Sequence, residues 1–358
     1  MHTGRDRISP DGEAMPFAFE EHERLLEEAA RHYASSVYGH AFLRAALDDK
    51  DGRVRAESWS RLAGLGWTGI LVSERLGGGG GSVVDACILA EALAGSMAPV
   101  PFVATAMGAA SVLTACDDDE GLIALAAGRP MCLTLDSRLI WPSTQPNLAW
   151  DWLPDAEIIQ LGPENAVRRT QAVPTQLRGP DPLHPLAVID DLLPNDRTSA
   201  QSEAVRRALV VVRAGLAASA SGLARTALAE AVSYARVREQ YGRPIAEFQA
   251  VQHICADMLV DAEATRSIAF GAAWAAENEG IDEAERVAAA ATAWCGPAAI
   301  RVVESSIQVL GGIGVTWEND AHLRLRHAQL LGRLLGGAAD AQKELGRRRA
   351  SAAEKASS

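Results

Sequence analysis

The sequence predicts a mainly α-helical protein in which a small β-rich segment separates two helical regions. Apolar residues recur at helical spacing in the first third of the chain and again after residue 201, whereas repeated prolines divide the stretch between them into short β-prone pieces. We therefore expect a disordered tail at 1–14, an N-terminal helical domain at 15–128, a reduced middle β-domain at 129–200, a C-terminal four-helix bundle at 201–350 and a tail at 351–358.

The composition is that of a folded chain with an acidic surface. Of 358 residues 48% are hydrophobic, which supplies a core, and the formal net charge is −12. No segment collects enough Lys and Arg to offset that charge, which argues against a nucleic-acid partner. No run of 18 apolar residues occurs and the opening stretch has no apolar signal-peptide core, so we expect a cytoplasmic protein without a membrane span.

The five cysteines are scattered and never form a C-x-x-C pair. Their odd number and their spacing predict neither a disulfide framework nor a zinc site, and we expect no metal. We interpret them as small buried apolar residues.

In the first domain, helical spacing is clearest at Leu25, Leu26, Ala29, Ala30 and Tyr33. Five consecutive glycines at 77–81 interrupt this region, because glycine has the largest backbone entropy to lose in a helix. The run fits neither G-x-G-x-x-G nor G-x-x-x-x-G-K-[ST], so a turn or loop is preferred over a phosphate cradle.

The middle segment contains three short pieces rich in β-branched and aliphatic residues: MCLTL at 131–135, AEIIQL at 156–161 and LAVID at 186–190. Each is bounded by proline-containing stretches, which end strands because proline has no backbone donor. They predict a small β-domain.

A helix from 203 to about 240 is predicted to dominate the last region, and it far exceeds ordinary helix length. A second helix carries apolar residues at heptad-like spacing between Phe248 and Ala262, which predicts one buried stripe. Small residues on one face of the long helix predict close packing at the centre of an antiparallel bundle. They are Gly215, Ala218, Ser219, Gly222 and Thr226.

Three more helices are predicted after residue 280. The first begins at Asp282, with Glu285 as its capping-box partner, and Pro297 is expected to kink or interrupt it. The next includes residues 322–331. The last ends at three arginines, 347–349, which suit the negative end of a helix dipole.

Several motifs together resemble the acyl-CoA dehydrogenase family. YARVREQYGRPI at 234–245, continuing to Phe248 and Gln249, is similar to the family's R-x-x-F-G-x-x-I/L-x-x-x-Q. QVLGGIG at 308–314 is similar to its Q-x-x-G-G-x-G and is followed by Glu318 and by LRLRHA. Pieces at 65–79 and 91–99 extend the resemblance into the first domain, so the set is far more specific than any single glycine pattern.

The resemblance implies the family's fold and an FAD cofactor bound at a subunit interface. Arg238 would reach the diphosphate of the FAD of the neighbouring subunit, for which a planar, permanently charged guanidinium is suited. Gly311 and Gly312 would let the backbone approach the cofactor without a Cβ between them. The other residues implied to line the dinucleotide pocket are Gln240, Tyr241, Ile245, Phe248, Gln249 and Gln308.

The family's catalytic glutamate is absent from both places where it is expected. In the family it removes the α-proton of the substrate while a hydride leaves the β-carbon for the flavin. The resemblance puts the usual position near Leu335 and an alternative one near Val212, and neither is a carboxylate. Asp340 is a candidate for an unusual base, although its position favours a solvated residue at a helix start.

The part of the β-domain that holds the flavin ring in the family also differs here. The chain offers LTLDSR at 133–138 in place of the family's T-E-x-x-x-G-S-D-like loop, and a short Trp150-Asp151-Trp152 in place of its tryptophan strand. The flavin-ring half of the site therefore departs from the family pattern, whereas the adenosine-diphosphate half matches it. This asymmetry resembles the heteromeric acyl-CoA dehydrogenases of actinobacterial steroid catabolism.

The leading hypothesis is a subunit without its own base in an FAD-dependent acyl-CoA dehydrogenase that desaturates an acyl-CoA, with a steroid or polycyclic side chain suggested by analogy alone. The implied partners are a second acyl-CoA dehydrogenase-type subunit in an α2β2 heterotetramer and an electron-transferring flavoprotein. Two alternatives stay open. One is a self-sufficient homo-oligomeric enzyme that uses a base such as Asp340, and the other is a scaffold subunit that binds no flavin.

Overall fold

The computed structural model describes residues 19–136, 139, 148–161, 165–171, 175–177, 179–189 and 198–357. Within these residues a helical region, a seven-stranded sheet and a second helical region follow one another, which confirms the predicted mainly α-helical fold. The predicted N-terminal tail at 1–14 lies outside the described residues.

The first region consists of short helices around one fully buried helix, α4. A π-helical stretch, Phe102–Ala109, leads directly into α5. The predicted turn at the glycine run is confirmed, since Gly77 and Gly80 adopt φ angles of 83° and 60°. The helices are α1 (Glu21–Val37), α2 (His40–Asp48), α3 (Arg53–Gly64), α4 (Val83–Gly95), α5 (Ala110–Ala115) and α6 (Asp119–Ala126).

The middle region is a sheet of short strands in the order β5-β6-β2-β1-β3-β4-β7. The central strand β1 pairs antiparallel with β2 and parallel with β3, and β1 and β3 are buried along their whole length. All three predicted pieces form strands. The strands are β1 (Met131–Leu135), β2 (Leu148–Trp150), β3 (Glu157–Leu161), β4 (Ala166–Thr170), β5 (Thr175–Gln176), β6 (Leu186–Val188) and β7 (Thr198–Ser199).

The C-terminal region is built on α7, against which α4, α8, α9 and α10 all pack. A two-stranded hairpin joins α7 to α8, and a two-residue turn joins α8 to α9. Its elements are α7 (Ser202–Val237), β8 (Glu239–Gln240), β9 (Arg243–Pro244), α8 (Gln249–Asn278), α9 (Ile281–Leu310), α10 (Ala321–Leu331) and α11 (Gly337–Ser357).

The predicted close packing of the small-residue face of α7 is confirmed, but the helix it meets most closely is α4 of the first region. A Cβ placed on Gly222 would lie 2.0 Å from the carbonyl oxygen of Glu91 and 2.9 Å from the backbone nitrogen of Gly95. A Cβ on Gly215 would meet the side chain of Met107 at 2.6 Å. Only glycine allows the two helices to approach this closely.

A buried carboxylate ties four helices together beside this contact. Glu91 of α4 is 4% exposed and accepts hydrogen bonds from Ser221 Oγ at 2.6 Å and Arg225 Nη1 at 3.1 Å, both on α7, and from Arg266 Nε at 3.2 Å on α8. Arg266 also donates to Glu27 of α1 at 2.8 Å. Because the charge is paired and hydrogen-bonded, its burial is compatible with stability, and losing one partner would leave charge uncompensated.

The predicted start of α9 was wrong. The helix begins at Ile281 with Gly280 as N-cap and has no side-chain cap. Glu285 does not reach back to the backbone, because its carboxylate is engaged by Arg206 at 2.6 Å and by Arg348 at 2.5 Å. Nor does Pro297 interrupt the helix, which runs unbroken to Leu310. Gly296 lets α9 pack closely on the turn at Gly332, so tertiary packing outweighs the one backbone bond that proline removes.

The predicted end of the last helix was also wrong. The helix α11 continues past the three arginines to Ser357, through most of the range expected to be a tail. Arg348 binds Glu285 and Glu344 instead of serving the helix end.

Two helical stretches, Ser202–Val237 and Ile281–Val315, are long and apolar enough to cross a bilayer by length and composition alone. Within their most apolar windows, 89% of the first and 44% of the second is buried inside the protein. Core helices pass the same test, so this finding by itself does not indicate a membrane span.

We expect Gly222→Ala to destabilise the chain, because its Cβ would overlap backbone atoms of α4 that cannot turn aside. Overpacking of this kind costs about 1–3 kcal/mol. Gly346→Ala in α11 is the matched control, since its Cβ would meet no described atom within 4 Å and the helix should gain up to about 1 kcal/mol. Urea denaturation followed by circular dichroism measures both, and equal midpoints for the two variants would contradict the close packing.

Candidate functional site

The motif residues of the C-terminal region gather at one end of the bundle. The helices α8 and α9 are joined by a two-residue turn, and α7 and α8 by a short hairpin, so the C-terminal ends of α7 and α9 and the start of α8 lie at the same end. The residues predicted to bind the cofactor's diphosphate half occupy these three places: 238–249 between α7 and α8, and 308–312 where α9 ends.

Arg238 is the residue at which α7 stops and the hairpin begins. Its backbone N–H donates to the carbonyl of Tyr234 at 2.9 Å, and its own carbonyl accepts from the N–H of Ile245 at 2.8 Å. Tyr241 and Gly242 form the hairpin tip with positive φ angles of 54° and 79°. The backbone of Arg238 is thus fixed, while its side chain is exposed and makes no hydrogen bond or ion pair within the described part of the chain.

The hairpin presents aromatic surface to the outside. Tyr241 is 94% exposed, and its ring stands edge-on to Phe248 with the centroids 6.1 Å apart. The guanidinium of Arg243 lies over the Phe248 ring at 4.4 Å. A tyrosine this exposed contributes almost nothing to the core of its own chain.

The glycine turn after α9 is likewise unexplained by packing inside the chain. Gly311 has φ 65° and ψ −140°, a conformation that favours glycine, but Gly312 has no such constraint. A Cβ on either residue would meet no described atom within 4 Å. Val315 and Trp317, just beyond the turn, are 68% and 66% exposed. An exposed guanidinium and an open glycine turn are the residue types that the family resemblance predicts for binding the FAD diphosphate.

The two positions expected for a catalytic glutamate lie in the core. Leu335 is 5% exposed, sits in the left-handed region with φ 56° and ψ 33°, and donates its N–H to the carbonyl of Leu139 at 2.8 Å. Val212 is fully buried within α7, and the neighbouring Arg213 donates to Glu344 at 2.9 Å. Asp340 is half-exposed and accepts a hydrogen bond from Lys343 at 2.8 Å.

Sequence reasoning missed a group of buried charged and polar side chains, which we call the buried charge cluster: Arg55, Asp151, Asp181, His184 and His327. Arg55 donates to Asp151 at 2.6 Å, and the Nδ1 atom of His184 lies 3.0 Å from the other oxygen of Asp151. The Nδ1 atom of His327 lies 2.6 Å from Asp181. The imidazoles of His184 and His327 stack with centroids 4.1 Å apart. His184 and His327 are 143 positions apart, so their spacing in the sequence did not indicate that they lie together.

The cluster borders a cavity of about 40 Å³ that Trp150, Ser219 and apolar side chains of α4 and α10 also line. Pockets for drug-sized ligands measure about 300–1,000 Å³, whereas one buried water needs about 10–15 Å³. This cavity therefore has room for water but not for a flavin ring or an acyl chain. Ser137 and Arg138 of the predicted flavin-ring loop lie outside the described residues.

Comparisons with known proteins agree with this architecture. The model of the acyl-CoA dehydrogenase N-terminal domain matches residues 20–120, and that of the C-terminal domain matches residues 202–351. The chain is 34% identical over 334 residues to the acyl-CoA dehydrogenase FadE34 of Mycobacterium tuberculosis, covering 88% of this chain and 46% of that protein. It thus spans about half the length of this relative.

Two solved structures have the same fold. The chain resembles the Tcur3481-Tcur3483 steroid ACAD with a TM-score of 0.79 and 25% identity, covering 93% of this chain and 99% of that one. It resembles a chain of the ChsE4-ChsE5 complex from Mycobacterium tuberculosis with a TM-score of 0.81 and 24% identity, covering 94% and 99% of the two chains.

Both domain models, the order of helical and β regions and the exposed Arg238 and Gly312 surfaces lead to one assignment. The chain belongs to the acyl-CoA dehydrogenase family of FAD-binding oxidoreductases.

Proposed function

We propose that the chain is a subunit of a hetero-oligomeric, cytoplasmic acyl-CoA dehydrogenase and completes an FAD site whose flavin-ring half belongs to a second subunit. The observation that carries the proposal is the contrast between the two halves of the site. Arg238 and Gly312 lie open at the surface, whereas the cavity that the described residues form beside Trp150 measures about 40 Å³.

Neither Leu335 nor Val212, the two positions expected for the catalytic glutamate, has a carboxylate, which also supports a site shared between two subunits. A general base must lie within hydrogen-bond reach of the proton that it removes, and Leu335 has only an aliphatic side chain, which is packed in the core. Bound FAD supplies the hydride acceptor, and this chain's part is to hold the diphosphate through Arg238. The α-proton is then removed by a carboxylate of the partner subunit.

Three relatives support a partner of the same family. FadE34 is about twice as long as the region matched here, which leaves room in one polypeptide for a second unit of similar size. The ChsE4-ChsE5 structure is a complex of two differently named proteins, and the Tcur3481-Tcur3483 protein is named a steroid ACAD. We extend the proposal accordingly to an α2β2 assembly, a steroid-type acyl-CoA substrate and an electron-transferring flavoprotein as acceptor.

The exposed residues of the hairpin and the glycine turn give the partner a surface to cover. Val237, Tyr241, Ile313, Val315 and Trp317 are all exposed large hydrophobic residues close in sequence to Arg238 or Gly312. A subunit interface that shares a cofactor would bury both the ligand and this apolar rim.

Arg238→Ala should weaken FAD binding by the co-expressed complex. The substitution removes a charge-assisted contact worth about 1.5–3 kcal/mol, or roughly ten- to a hundredfold in affinity. Arg236→Ala, an exposed arginine two positions earlier on α7, is the matched control and should keep the flavin. Flavin absorbance after dilution and gel filtration is the measurement. Equal retention by both variants would remove Arg238 from the cofactor site.

Asp340→Asn should leave turnover of the complex nearly unchanged, because the carboxylate is half-exposed and is paired with Lys343 near a helix start. If Asp340 were the base, the same substitution would lower kcat by orders of magnitude. Acyl-CoA oxidation by the isolated chain, together with its loss in Asp340→Asn, would establish the self-sufficient enzyme instead. A colourless complex with no flavin would favour the scaffold.

A further inference from the structure

The buried charge cluster joins three parts of the fold. Arg55 lies on α3, Asp151 follows β2, Asp181 and His184 precede β6, and His327 lies on α10. Each is less than a tenth exposed. Arg55 also donates to the carbonyl of Trp152 at 2.6 Å. The first helical region, the sheet and the C-terminal region are therefore linked here by hydrogen bonds and ring stacking between buried charged and polar side chains.

The geometry of the two imidazoles disfavours a metal ion. Asp181, His184 and His327 are residue types that bind metals, and their polar atoms lie near one another. However, the two rings stack at an interplanar angle of 25°. Imidazole binds a metal in the plane of its ring, so stacked rings direct their lone pairs side by side instead of toward one point. Both Nδ1 atoms, moreover, are already paired with carboxylates.

The charges of the cluster balance when the histidine pair holds one proton. Arg55 contributes one positive charge, and Asp151 and Asp181 contribute two negative ones. With both imidazoles neutral the buried sum is −1, and with both protonated it is +1 with two cations stacked at 4.1 Å. One proton gives a sum of zero, which avoids the free-energy cost of an uncompensated buried charge.

The surroundings assign this proton to His184. Burial disfavours the protonated form of His184, but the carboxylates of Asp151 and Asp181 outweigh burial and raise the pKa of His184. Burial lowers the pKa of His327, and the neighbouring His184 lowers it further against the attraction of Asp181. Burial would raise the pKa of Asp181, but the two imidazoles hold it below its usual value.

Two further titratable groups face the cluster. Asp49 favours the charged form of Arg55. Burial, and then Asp151, raises the pKa of the Cys132 thiol, which therefore stays neutral. A protonated His184 also needs an acceptor for its Nε2–H, which has no partner among the described residues. The adjoining cavity has room for a water to accept it.

We propose that the buried charge cluster is a proton-dependent lock, in which one proton held by the stacked histidine pair fastens the β-domain to α3 and α10. The lock is a property of this chain and does not depend on flavin binding. As a consequence, the contribution of the cluster to the free energy of unfolding decreases as the pH moves either above or below 6.5, the ordinary pKa of histidine.

The sign follows from proton binding in the two states. Below pH 6.5 His327 becomes protonated in the unfolded chain but stays neutral in the folded chain. Stability therefore falls as the pH falls. Above pH 6.5 the folded chain keeps a proton on His184 that the unfolded chain releases, so stability falls as the pH rises. Each proton changes the unfolding equilibrium constant by up to about tenfold per pH unit. The pKa of His322 is lowered too, mainly by burial, so variants must be compared with the wild type.

The test is urea denaturation of the full chain, with its partner if one co-purifies, from pH 5.5 to 8. From pH 6.5 to 5.5 the unfolding constant of the wild type should rise up to tenfold more than that of His327→Gln. From pH 6.5 to 7.5 it should rise up to tenfold more than that of His184→Gln. His32→Gln, on the exposed face of α1, is the control and should follow the wild type. Parallel profiles for all four proteins would overturn the proposal.

A second measurement keeps the proposal testable if the variants do not fold. In the wild type labelled with ¹⁵N-histidine, one imidazole should remain protonated above pH 6.5 and another should remain neutral below it. Two buried imidazoles that are both neutral at pH 6.5, or that both titrate near 6.5, would overturn the lock.

Discussion

The close approach of α7 to α4 is the contact on which the rest of the structure depends. Gly222 allows the backbones to meet, and Glu91 then binds donors from α7 and α8 at the same place. A helix of 36 residues held this firmly fixes both of its ends. One end carries Arg238 and the hairpin, and the middle carries Ser219, which lines the small cavity beside Trp150. One long helix therefore positions both regions that we propose as the halves of a cofactor site.

These two halves differ in what they leave open. Around Arg238 and Gly312, an exposed guanidinium, an exposed tyrosine and a glycine turn face outward. Beside Trp150, charged groups are turned inward and satisfy one another. This contrast between an open surface and a small buried cavity is the observation behind our proposal of a subunit that completes a site of its neighbour.

The fold was predictable from the sequence because periodicity and proline placement report local structure. Helix ends were less predictable: Glu285 is a plausible capping residue until Arg206 and Arg348, distant in sequence, compete for it. The residues around Arg238 could be named because they form contiguous motifs, although their contact with FAD stays a prediction. The buried charge cluster could not be found, because Arg55, Asp151 and His327 come from three regions and meet only after folding.

The central claim is that this chain contributes half of a cofactor site and has no flavin-ring half of its own. Native mass spectrometry of the co-expressed complex, with the FAD content confirmed by absorbance, measures this directly. The account predicts one FAD for every two polypeptide chains, with both kinds of subunit present in equal number. One FAD per chain, or a homo-oligomer of this chain alone that retains FAD and oxidises an acyl-CoA, would contradict it.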